Sequence, residues 1–159
     1  MIKGGIFDFV PMKPTTKGIS TNIYYSVFLR DIEVGYILLE NYDFKTEKAE
    51  IAYKVYKPFR RKGIATQMVK EFINVIPEYF NLSFFDAKVN VDNDASCKVL
   101  EKAGFNEKTI EVNPFEERIS GKRYFFRNIK EETIEANAES RIEELNLIIS
   151  DLKRENLWG

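Results

Sequence analysis

The part of this chain that most restricts its fold is the run Glu50-Ile51-Ala52-Tyr53-Lys54-Val55 and the turn that follows, Tyr56-Lys57-Pro58-Phe59-Arg60-Arg61-Lys62-Gly63-Ile64-Ala65-Thr66. The first six residues read as a strand. Beyond Gly63, the apolar residues Ile64, Met68, Val69, Phe72, Ile73 and Ile76 recur at helical spacing until Pro77 stops them. A strand that enters a helix through a short turn leaves the first backbone N–H groups of that helix unpaired, and together with the helix dipole they attract an anion. Arg60, Arg61 and Lys62 add positive charge there, while Gly63 and the small Ala65 let a ligand approach the backbone. The turn suits a phosphate and is wide enough for a diphosphate. It is neither a Walker-type loop, which ends in Lys followed by Ser or Thr, nor a dinucleotide fingerprint, which needs three glycines where only Gly63 stands.

A second constellation follows. Phe84-Phe85-Asp86-Ala87-Lys88-Val89-Asn90-Val91 has strand character, and Asn93-Asp94-Ala95-Ser96-Cys97-Lys98-Val99-Leu100-Glu101-Lys102-Ala103-Gly104-Phe105 reads as a capped helix. Asn93 or Asp94 supplies the cap, Val99, Leu100 and Ala103 the buried face, and Gly104 the stop.

Arg60-x-x-Gly63-x-Ala65 resembles the (Gln/Arg)-x-x-Gly-x-(Gly/Ala) pyrophosphate turn of the GNAT acetyltransferases. The second stretch is similar to their element Asn-x-x-Ser-x-x-Val-Leu-x-x-x-Gly-Phe, nearest to the branch that contains the ribosomal-protein N-terminal acetyltransferases. The resemblance covers residues 32–129. It implies an α/β fold of the α+β kind: a mixed, mostly antiparallel central sheet with flanking helices, splayed where the coenzyme enters. It also implies an acyltransferase that moves an acetyl group from acetyl-CoA to an amine by direct transfer in a ternary complex, without a metal.

Site residues follow from the same resemblance. Arg60, Arg61, Lys62, Gly63, Ile64, Ala65 and Thr66 would hold the pyrophosphate, and the backbone of Val55 and Lys57 would meet the pantetheine arm. Asn93 would contact the pantetheine or a water beside it. Many family members carry a tyrosine as general acid four residues before the glycine of the Gly-Phe pair; Leu100 stands there in this chain. In the nearest branch a serine three residues after the asparagine is proposed to meet the coenzyme sulfur, and Ser96 is at that spacing; its competing reading is a helix cap. For the base, Glu50 is the first candidate, on the strand face it shares with Ala52 and Lys54, against the reading of a solvated carboxylate. Tyr53, Glu116 and Glu117 are weaker candidates, and a water chain needs no residue at all.

Composition removes other chemistries. With no histidine, neither a Ser-His or Cys-His nucleophile nor a His-ligated metal site can form, and Cys97 reads as a buried packing residue. The formal charge of −1 implies no nucleic-acid partner, and no apolar run is long enough to span a membrane, so the expected location is cytoplasmic.

Residues 1–130 read as one acetyltransferase domain. It comprises a first strand over 1–9, a Pro- and Gly-bearing loop over 10–21, a hairpin over 22–30 and 34–41, and a closing hairpin over 106–112 and 122–129. The family's two helices between the first strands do not fit in residues 10–21, which leaves the acceptor cleft open to a protein end, a lysine or a small amine. Residues 131–159 form an amphipathic helical extension whose Ile142, Leu145, Ile149 and Leu152 make an a/d-like seam. That seam suits either a homodimer or packing on its own domain. The alternative to an enzyme is a CoA-binding module without catalysis that acts through this tail.

Overall fold

The computed structural model describes residues 1–12, 22–108, 121–130 and 146–150. Where a single first strand was expected, the chain makes two, Ile2–Lys3 (β1) and Phe7–Pro11 (β2). They are joined by a turn in which the Gly4 N–H donates to the Phe7 carbonyl at 2.8 Å. Gly4 is required by close approach, because a Cβ there would collide with Oε1 of Glu71. β2 also runs on into Val10 and Pro11, which read as loop in the sequence.

The expected hairpin is present as Ile23–Leu29 (β3) and Ile32–Asp43 (β4), turning at Arg30, which takes the left-handed φ of 56°. Lys48–Val55 (β5) then leads through the basic turn into the helix Ile64–Val75 (α1). Phe84–Asn90 (β6), the helix Asp94–Lys102 (α2), the two-residue strand Asn106–Glu107 (β7) and Lys122–Asn128 (β8) complete the described elements. The loop over 109–120, with Glu116 and Glu117, lies outside the described residues, as do residues 13–21 and the seam residues Ile142, Leu145 and Leu152.

The strands form one sheet in the order β1-β2-β3-β4-β5-β6-β8-β7. Every pairing is antiparallel except β5 with β6. This is the mixed, mostly antiparallel sheet that the family resemblance implies. Alternation along the strands turns Phe9, Tyr25, Ile37, Leu39, Ile51, Phe85 and Phe125 into one core with Met68, Val69, Phe72 and Ile73 of α1 and Leu100 of α2. Phe72 meets Phe9 and Tyr25 edge-on, with ring centroids 5.3 and 5.5 Å apart. The opposite sheet face, with Tyr36, Glu50, Ala52, Asp86, Lys88, Tyr124 and Phe126, is half-buried to exposed.

One buried carboxylate ties the first hairpin to α1. Glu71 is 2% exposed, and its Oε1 accepts the N–H of Ile6 at 2.9 Å and of Phe7 at 3.1 Å. Its Oε2 accepts from Gln67 Nε2 at 3.1 Å, and Gln67 Oε1 is buried without a partner among the described residues. Burial pushes the Glu71 carboxyl above its ordinary range, against the pull of these hydrogen bonds. Glu71→Ala strands two buried N–H groups, with an expected loss on the order of 3 kcal/mol in chemical denaturation. Glu71→Gln is expected to cost far less, because its amide can still accept from the hairpin and donate to a flipped Gln67. The raised carboxyl binds its proton more tightly in the folded state, so its contribution is full below the unfolded pKa and fades as pH rises through the folded one. Wild-type stability measured against Glu71→Gln should therefore fall as pH is raised through the upper carboxylate range.

Candidate active site

The basic turn is built as a strand end, one tight turn and a bare helix start. Tyr56 N–H donates to Val34 O at 2.8 Å, which closes the β4–β5 ladder. Lys57–Phe59 then makes a single 3-10 turn around Pro58. Arg61 and Gly63 take left-handed φ values of 64° and 77°. Gly63 is the N-cap of α1 with no side chain capping it, and the first helical bond is Gln67 N–H to Gly63 O at 3.2 Å. The N–H groups of Ile64, Ala65 and Thr66 thus lie ahead of the helical ladder, where an anion can take them. Ile64 contributes only backbone, since its side chain is buried in the core at 1% exposure.

Arg60 differs from the mobile charge expected of it. Its Nε donates to Val55 O at 2.9 Å, so the side chain folds back and fastens the end of β5. Beside the turn, residues 146–150 are helical, and Ile148 comes within 3.9 Å of the position a Cβ on Gly63 would take. Ile148 also packs against the core cluster, so this described part of the tail lies on its own domain.

Next to the turn the sheet opens. β5 and β6 pair only as Lys48 with Phe84, Ala49 with Phe85 and Glu50 with Asp86, and then diverge. Because Tyr56 bonds toward β4, alternation turns the backbone groups of Ile51, Tyr53 and Val55 toward the gap. A fork of this kind offers main-chain partners to an extended ligand arm.

The two faces of the fork differ in chemistry. On the helix-bearing face, Asn93 Oδ1 accepts the Ser96 N–H at 3.2 Å and caps α2. Ser96 is half-buried in the first turn of that helix. Tyr53, from β5, reaches across and donates its hydroxyl to the Ser96 carbonyl at 3.4 Å. Burial pushes the Tyr53 phenol up to about 12, so it serves as a proton-bearing donor and not as a base. Cys97 is buried, and burial also pushes its thiol up, away from the thiolate a nucleophile requires. Leu100, where the family often has its acid, is 0% exposed in the core.

On the open face Glu50 and Asp86 stand side by side at the fork's base. Glu50 lies 3.4 Å from Lys88 Nζ. Asp86 holds Lys48 at 2.7 Å and Lys108 at 2.8 Å. Burial pushes the Asp86 carboxyl up, but the hydrogen bonds and charges of the two lysines outweigh it and leave the group below its ordinary range. Sequence reading missed Asp86. Its only signal is a carboxylate in an otherwise alternating strand, and its place beside Glu50 depends on the parallel register. Val55, Lys57 and the residues from Arg60 to Thr66 lie on the turn side of the fork, while Asn93 and Ser96 lie across it on α2. Among the described residues no cluster of three or more His, Cys, Asp or Glu could hold a metal ion.

The chain matches the acetyltransferase (GNAT) domain profile over residues 12–106, and it belongs to that family. No curated protein sequence matches it. Among solved structures it is similar to a spermidine N-acetyltransferase chimera from Vibrio cholerae and hSSAT, with a TM-score of 0.57 and 16% identity over 69% of this chain and 68% of that one. It is also similar to the Campylobacter jejuni N-acetyltransferase PseH in complex with acetyl coenzyme A, with a TM-score of 0.56 and 17% identity over 69% of each chain. A third is the Salmonella typhimurium acetyl transferase that modifies the N-terminal serine of a 50S ribosomal subunit protein, with a TM-score of 0.57 and 19% identity over 69% of this chain and 64% of that one. At such identities the likeness establishes the shared fold.

The turn gives a direct test. A side chain at Gly63 meets little, since its nearest neighbour is Ile148 at 3.9 Å, but it must adopt the left-handed φ. Gly63→Ala is expected to cost about 1 kcal/mol in stability and to keep coenzyme affinity within a few fold. Gly63→Glu places negative charge at the bare helix start and should abolish coenzyme binding in calorimetry on the folded variant.

Proposed function

We propose that the protein is an N-acetyltransferase that carries the acetyl group of acetyl-CoA to a primary amine of a protein or small molecule by direct attack in a ternary complex. The observation that carries this reading is the fork, which ends at Glu50 and Asp86 and opens beside the bare N-terminus of α1. The pyrophosphate sits on the N–H groups from Arg61 to Thr66, with Arg61 and Lys62 supplying charge. Arg60 acts differently: it holds Val55 O and so fixes the strand end that the pantetheine passes. Val55 then offers its N–H, and Lys57 lines the entrance. Asn93 shapes the far wall by capping α2, which sets Ser96 in that helix's first turn.

The amine reaches the thioester from the open face, where Glu50 accepts its proton directly or through water. Lys88 pairs with this carboxylate at 3.4 Å, and Asp86, held by two lysines, stays out of proton transfer. The open face fits the reading of a wide acceptor site. The proteins of similar fold act on a polyamine in one case and on a protein N-terminal serine in another, which supports an amine acceptor without choosing its size. We assign catalysis to residues 1–130 and a supporting role to residues 131–159, where the contact of Ile148 with its own domain favours intrachain packing over a homodimer. A cytoplasmic location fits the single buried cysteine and the absence, among the described residues, of a helix long and apolar enough to cross a membrane.

Calorimetric titration with acetyl-CoA, free CoA and ATP tests the coenzyme assignment. Micromolar binding selective for the two CoA species supports it, and binding of none of the three overturns it. Turnover with any amine then separates an enzyme from a CoA-binding module. If Glu50 is the base, Glu50→Gln should lower kcat by roughly 10²–10⁴-fold and remove the acid limb of the pH–rate profile. An unchanged profile would take Glu50 out of the mechanism.

A further inference from the structure

The helix-bearing side of the fork is lined by apolar groups: Ile51, Val55, Ala87 and Val89 are all buried. Tyr53 lies between Ile51 and Val55 on β5 and shares their face, and its hydroxyl crosses the gap to α2. At 3.4 Å its contact with the Ser96 carbonyl is longer than an ordinary O–H···O bond, so the hydroxyl gives it up at little cost. Rotation about the Cζ–O bond then leaves the proton available to another acceptor. Leu100, one turn further along α2, has no proton to give and is sealed in the core.

We propose that Tyr53 is a catalytic residue whose O–H donates a hydrogen bond to the coenzyme sulfur as the thiolate departs. This rests on the acetyl end of the coenzyme lying in the fork, as in the function proposed above. In the step, the amine nitrogen forms a bond to the carbonyl carbon, the C–S bond breaks, and the electron pair stays on sulfur. The amine's proton passes to Glu50 or to water on the open face. The thiolate is held by the phenol and afterwards takes a proton from solvent. The phenol keeps its own proton, because burial pushes it up to about 12 while a free thiol titrates near ~8.5. Tyr53 therefore acts by stabilising charge beside buried apolar side chains, where one aimed donor has a large effect. It faces the sulfur side of the thioester while Glu50 faces the amine side, and the sheet separates the two.

The test needs no acceptor. Affinities of the full chain for CoA and for dethio-CoA, which lacks the sulfur, are measured by calorimetry between about pH 7 and pH 10, a range that takes in ionisation of the coenzyme's alkyl thiol. Wild type should gain roughly tenfold in preference for CoA over dethio-CoA across this range, the scale of one hydrogen bond to a charged group. Tyr53→Phe keeps the ring in place and should lose that gain while binding dethio-CoA within a few fold of wild type, with a matching thermal melt. An equal gain in Tyr53→Phe overturns the proposal, as does equal weakening of both ligands, which would mark a packing role. Wild type that binds CoA with no sulfur-dependent gain also overturns it and leaves the coenzyme site standing. Wild type that binds neither ligand removes the coenzyme site itself.

Discussion

Parallel pairing between β5 and β6 lasts for three residue pairs and stops where Glu50 faces Asp86. The site proposed above is built around that early stop. Up to it, the two strands satisfy one another's backbone and the sheet is continuous. Past it, the backbone of Ile51, Tyr53 and Val55 faces a gap that an extended ligand can fill as a missing strand would. The gap is held open by local chemistry. Arg60 fastens the carbonyl at the end of β5, Tyr56 locks that strand to β4, and α2 is capped by Asn93 on the other bank.

The stop also divides charge between the two faces. Glu50, Asp86, Lys48, Lys88 and Lys108 gather on the open face, where water can screen and exchange protons. On the helix-bearing side the fork is bordered by the buried apolar side chains of Ile51, Val55, Ala87 and Val89, with the hydroxyl of Tyr53 reaching the Ser96 carbonyl between them. A transfer reaction needs a proton acceptor on one side of its carbonyl and charge stabilisation on the other. In the reaction proposed above, Glu50 takes the first part and Tyr53 the second.

The local parts of this arrangement are legible in the sequence. The strand, basic turn and helix around Gly63 lie within about twenty residues, and so do Asn93, Ser96 and the stop at Gly104, which takes the left-handed φ of 90°. Features that depend on distant partners are not. Gly4 and Gly5 do not announce a hairpin, because the reason for Gly4 is Glu71, whose bond to Ile6 spans 65 residues. Glu71 lies outside the apolar stripe Ile64, Met68, Val69, Phe72, Ile73 and Ile76 and is nonetheless buried. Asp86 gains its meaning from register, and Arg60 from a carbonyl behind it that a motif cannot show. Tyr53 reads as a weaker candidate base, and the contact of its hydroxyl with the Ser96 carbonyl depends on α2 lying opposite.

The most direct test of the coenzyme's placement is a residue-resolved amide NMR titration of the folded chain with CoA. The account predicts the largest shifts at the amides of Gly63, Ile64, Ala65 and Thr66, where a diphosphate would take the bare N–H groups, and a second group at Ile51, Tyr53 and Val55 along the fork. Shifts confined to other parts of the sheet, with these amides unmoved at saturation, would contradict it.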